Sequence, residues 1–89
     1  MLFPQLAMFK VIKGSVTVTA GAGTTVKHVI DLKKNYAIVG VPEVSTSTPD
    51  AEVKVVNGGI NKFTVEITNS GTSSADVEVK YTVLVAQGS

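Results

Sequence analysis

The chain has 89 residues, enough for one domain and not two, and a domain of this size buries only about 60–65 per cent of the surface its unfolded chain exposes. It has no cysteine and one histidine, His28, so disulfides and the common zinc sites are excluded as staples and oligomerisation is the expected aid to stability. All eight basic residues are lysines, scattered among seven acids; with no arginine and no basic stripe, nucleic-acid binding is not expected.

Residues 1–13 open the chain with Leu2, Phe3, Leu6, Met8, Phe9, Val11 and Ile12, a more apolar set than a free arm in water carries. Pro4 interrupts the run, and neither a leading positive charge nor a small-residue cleavage site marks a signal peptide. No stretch approaches the length of about 20 apolar residues that a membrane helix needs, so a soluble chain without membrane insertion is expected. The segment is predicted to be an extra strand or an oligomer arm attached to a domain over residues 14–89.

The rest reads as strand throughout. Valine is the commonest residue and threonine the next, a β-branched composition, and no window of a dozen residues keeps the apolar stripe of a helix. Residues 15–20 alternate Val16, Val18 and Ala20 against Ser15, Thr17 and Thr19, and stop at Gly21-Ala22-Gly23. Residues 25–32 place Val26, His28, Ile30 and Leu32 on one face, which predicts a first hairpin over residues 14–32. Residues 36–45 are apolar on both faces apart from Gly40, Pro42 and Glu43, so a third strand buried from two sides is expected, with Pro42 placing it at an edge or on a bulge.

A hydroxyl-rich loop precedes a short strand over residues 52–56, closed by the turn signal Asn57-Gly58-Gly59. Residues 62–69 set Phe63, Val65 and Ile67 against Thr64, Glu66 and Thr68. Residues 75–86 set Val77, Val79, Tyr81, Val83 and Val85 against Asp76, Glu78, Lys80 and Thr82. Residues 70–74 are predicted to join these two as a flexible hairpin. Some six to seven short strands with turns between them predict an all-β chain, an antiparallel β-sandwich or jelly-roll-like domain, or a small barrel.

Catalytic chemistry finds little to work with. There is no cysteine nucleophile, and His28 alternates with apolar Val26 and Ile30 as a structural histidine does. Glu66, Asp76 and Glu78 fall on polar strand faces, where Lys62 and Lys80 are expected to pair with them across the hairpin. Gly21-Ala22-Gly23 leads into a strand, so no helix N-terminus follows to receive a phosphate. Tyr36, Phe63 and Tyr81 are too few and too far apart for a base-stacking platform. No catalytic residue, cofactor or metal is expected, and the chain is not read as an enzyme.

Two other groups of residues invite a binding role. Phe3, Leu6, Met8 and Phe9 in the opening segment, with Tyr36, Ile38, Val39 and Val41, form the expected oligomer interface. The hydroxyls of Ser45, Thr46, Ser47 and Thr48, and of Ser70, Thr72, Ser73 and Ser74, can hydrogen-bond a sugar or a polar surface.

The stretch Lys62-Phe63-Thr64-Val65-Glu66-Ile67-Thr68-Asn69-Ser70-Gly71, the closing Tyr81-Thr82-Val83-Leu84-Val85-Ala86-Gln87-Gly88 and the upstream Tyr36-Ala37-Ile38-Val39-Gly40-Val41-Pro42 together resemble the small β-sandwich modules of phage and archaeal-virus fibres, spikes and capsid decorations, including those similar to H-type lectins. Leu84-Val85 stands where H-type lectins often carry a tryptophan. The resemblance covers about half the chain. It implies a structural protein of a virion, assembled as a trimer or higher homo-oligomer, in contact with other virion proteins or a surface glycan. Residues 63–83 are also similar to the Asn-Ser-Gly-Thr turn region of immunoglobulin-like adhesion modules, which implies a cell-surface binding domain instead.

Overall fold

The computed structural model describes residues 8–33 and 35–87. Seven strands follow one another: β1 (Met8–Ala20), β2 (Thr24–Asp31), β3 (Tyr36–Ile38), β4 (Glu43–Ser45), β5 (Ala51–Gly58), β6 (Lys62–Asn69) and β7 (Ala75–Gln87). They form two antiparallel sheets packed face to face, the β-sandwich that the alternation predicted. Sheet A orders β1, β7 and then β3 and β4, which share the far side of β7; sheet B orders β2, β6 and β5.

The central strands supply the core. Phe63, Val65 and Ile67 of β6 face Val77, Val79, Val83 and Val85 of β7, all of them buried. Full burial of side chains of this size is worth about 1.5–3 kcal/mol each before conformational entropy is subtracted. Phe63 and Tyr81 meet edge to face across the sheets, with ring centroids 5.8 Å apart. That contact depends on a residue without a side chain: Gly14 is paired with Tyr81, and a Cβ there would collide with the tyrosine ring.

The strand pairing departs from expectation in two places, both for the same reason. Residues 14–32 are not a hairpin: β1 pairs with β7 along its whole length, and β2 pairs with β6 in the other sheet. Residues 70–74 likewise carry the chain from sheet B to sheet A as an arch instead of a hairpin. In a hairpin, two neighbouring apolar faces lie side by side in one sheet; in an arch they face each other across the core and bury one another. Among the described residues the only hairpin joining neighbours within a sheet is β5 to β6, at the predicted Asn57-Gly58-Gly59 turn. The strand before that turn runs over Ala51–Gly58, longer than residues 52–56, and its register shifts between Val55 and Asn57.

The single strand expected over residues 36–45 is two short ones. β3 pairs with Gln87, Ala86 and Val85, and β4 with Thr82, Tyr81 and Lys80, so residues 39–42 bulge over the two positions of β7 between them. Gly40 takes a positive φ of 77° there, and Pro42 has no amide to give to a ladder. Both features expected of Pro42, an edge and a bulge, are present. At the other boundary, β1 runs unbroken from Met8 through Gly14, so residues 8–13 are the first half of a sandwich strand.

Candidate interaction surface

Strand alternation sends every second side chain of sheet A away from the core, and the outer face changes character along its length. Towards the polar end, β1 and β7 present Thr17 opposite Glu78 and Thr19 opposite Asp76, and the Thr19 hydroxyl donates to the Asp76 carboxylate at 2.7 Å. At the other end the ladder is apolar across three strands. Phe9, Ala86 and Ala37 form one row; Val11 and Leu84 form the next, with Val39 beside them, its amide donating to the Leu84 carbonyl at 2.8 Å. Phe9 is 65% exposed, Val11 55%, Leu84 42% and Val39 40%. Lys13, Thr82 and Glu43 close the patch with a row that carries one charge of each sign at its two sides.

The expected interface residues divide between this surface and the core. Phe9 and Val39 lie on the outer face, Val41 is exposed on the bulge, and Met8 is exposed at the start of β1. Tyr36 and Ile38 do not belong to the surface: alternation turns them inward, where Tyr36 is buried and Ile38 packs on the core. Lys10, also on the inner side of β1, holds its amine 5.7 Å from the centroid of the Tyr36 ring and 3.4 Å from its hydroxyl. Phe3 and Leu6 lie outside the described residues. Leu84, Ala37 and Ala86 were not singled out for an interface in the sequence, because alternation turns them outward but only the strand pairing sets them beside Phe9 and Val11.

The hydroxyl-rich loops gather at the opposite end of the sandwich, where much of their bonding capacity serves the fold. Asn69, buried, donates through its amide to the carbonyls of Ala20 (3.0 Å) and Ser73 (2.9 Å), and its carbonyl oxygen accepts from the Gly71 amide (2.9 Å). This ties the β1–β2 turn to the β6–β7 arch. Ser70 donates through both its amide and its hydroxyl to the Asp50 carbonyl, and Ser74 donates to the Ala20 carbonyl. The Thr48 hydroxyl accepts from the Glu78 amide, and the Thr46 hydroxyl from the Thr48 amide. Ser45, Ser47, Thr72 and Ser73 are exposed. The two loops meet around a shallow depression of about 260 Å³ that Thr48, Asp50, Asn69, Thr72 and Ser73 help to line.

The groups weighed for catalysis are dispersed. His28 is half-buried on β2, paired with Val65, and points to the core side as its alternation predicted. Glu66 pairs with Lys54 of β5 at 3.6 Å, and Glu78 with Lys80 on its own strand at 3.9 Å. The cross-hairpin pairs expected from Lys62 do not form, because β6 and β7 lie in different sheets. Among the described residues no three metal-ligating side chains converge.

Compared with known protein families, curated proteins and solved structures, the chain matches none.

Proposed function

We propose that this chain is a non-enzymatic structural module that works by homo-oligomerisation, of the kind that builds virus particles and fibres. The observation that carries the reading is the apolar half of the outer face of sheet A, where Phe9, Val11, Val39 and Leu84 stand in adjoining positions with no charged side chain among them. Exposed apolar area concentrated in this way marks an interaction site on a soluble domain. Small size without disulfides adds to it, since a subunit contact supplies burial that a short chain cannot supply alone. The virion context comes from the strand pattern that resembles fibre and capsid-decoration modules. Sedimentation velocity over a dilution series tests the reading: reversible assembly is expected, and a folded monomer at every concentration would overturn it.

A second reading rests on the opposite end. There two hydroxyl-rich loops border one depression, which favours a module that binds a surface glycan, lectin-like or adhesion-like. A glycan array with no bound sugar would remove it.

A further inference from the structure

We infer that the apolar half of the outer face of sheet A docks on the same face of a second copy, about a two-fold axis running along β7. The inference rests on the assembly reading above and adds to it the partner, the face and the symmetry, a two-fold dimer in place of the trimer or higher assembly that the resemblance implies.

Of the four sheet edges, three are poorly suited to the alternative, strand addition, and the fourth, β2, is unbroken but lies in the sheet without the apolar rows. β1 turns Lys10 towards the inner side, and inward charge discourages a further strand. The β3–β4 edge is broken by residues 39–42 with Gly40 and Pro42, and β5 carries a register shift between Val55 and Asn57. In sheet A the apolar rows lie on the face.

An axis along β7 exchanges the two flanks of sheet A, so β1 of one copy lies over β3 and β4 of the other. Leu84 and Ala86, on the axis, then face their own counterparts. Phe9 lies over the small Ala37, and Val11 over Val39. In the next row Lys13 lies over Glu43, which pairs opposite charges at both rims of the contact. Further along, Lys80 would meet Lys80 and Glu78 would meet Glu78, so the polar half opens away and the contact ends where the apolar rows end. Large side chains meet small ones and positive meets negative under this one operation.

The area is consistent with a modest dimer. At their exposures the four large apolar residues and two alanines present roughly 400 Å² per copy, and with the charged rim the two copies bury about 1,000 Å², the lower bound for a specific interface. A dissociation constant in the micromolar range or weaker is therefore expected.

Single-cysteine variants of the full chain test the geometry cleanly, since the native sequence has no cysteine. Leu84→Cys is expected to cross-link to a dimer with a bis-maleimide that spans about 10 Å, the separation of stacked sheets, whereas Lys27→Cys on the outer face of sheet B is not. In sedimentation velocity Lys13→Glu and Glu43→Lys are each expected to weaken the dimer about three- to fivefold, and the double swap to restore it. Lys27→Glu makes the same change in net charge as Lys13→Glu and should leave association unaltered. Circular dichroism verifies that each variant is folded. If the chain associates but Leu84→Cys fails to cross-link, or the double swap fails to restore association, this face and axis are wrong while the assembly reading stands. A monomer at every concentration overturns both.

Discussion

The outer faces of the two sheets obey the same alternation and end differently. On sheet B, outward positions are polar through the middle of the ladder: Glu66 lies between Lys27 and Lys54, and the hydroxyls of Thr25 and Thr68 stand 3.1 Å apart. On sheet A the outward positions begin polar near Thr19 and Asp76 and become apolar by Val11 and Leu84. Inner faces are alike in both sheets because both must bury against the other. The contrast therefore separates what holds the sandwich together from what it offers to a partner, and substitutions on the three surfaces should behave as three classes.

The largest effect is expected in the shared core. Phe63→Ala removes a buried ring and its contact with Tyr81, and should cost about 3–5 kcal/mol by urea unfolding, enough to unfold a marginal domain. If the loss is under about 1 kcal/mol, the two sheets are not held together as described.

Next comes the polar end. Asn69→Ala leaves the Ser73 carbonyl and the Gly71 amide without their side-chain partner and the Ala20 carbonyl with only the longer bond from Ser74, a loss of about 1–3 kcal/mol. Asn69→Asp should not rescue it, because a carboxylate cannot donate to the two carbonyls. Thermal melts of the two variants compare them directly.

The smallest stability changes belong to the outer faces, and there the sheets should part company. Glu66→Gln on sheet B breaks an ion pair whose lysine is exposed, worth about 0.2–1 kcal/mol, and should leave the oligomeric state alone. Leu84→Lys on sheet A should shift the sedimentation profile towards monomer and lower the melting temperature only at concentrations where the native chain is assembled, by the share the subunit contact supplies. Equal responses of the two faces in both measurements would erase the distinction between them.

The alternation of Phe63, Val65 and Ile67, and of Val77 through Val85, was sufficient to identify both central strands and their buried sides, because a period of two expresses a local geometry. Pro42 likewise announced an edge or a bulge, since a missing amide is a property of a single residue, although residues 36–45 read as one strand and the positive φ of Gly40 emerges only in the structure. The inward side of His28 was legible for the same reason. Pairing was not. Residues 14–32 carry a turn compatible with a hairpin, and the choice of an arch depends on β6 and β7, which lie far along the chain.

The same division holds for the candidate surface. The sequence by itself determined an all-β chain, its strand faces, its lack of cysteine chemistry and an excess of apolar residues near the start of β1. Only the tertiary structure decided that Leu84 and Val39 stand beside Phe9 and Val11, and that the hydroxyl-rich loops meet at the other end around Asn69. Which face a residue takes is set by its immediate neighbours through the pleat of the strand. Which residues stand beside it is set by partners many positions away, whose pairing is chosen by the burial of the whole sandwich at once.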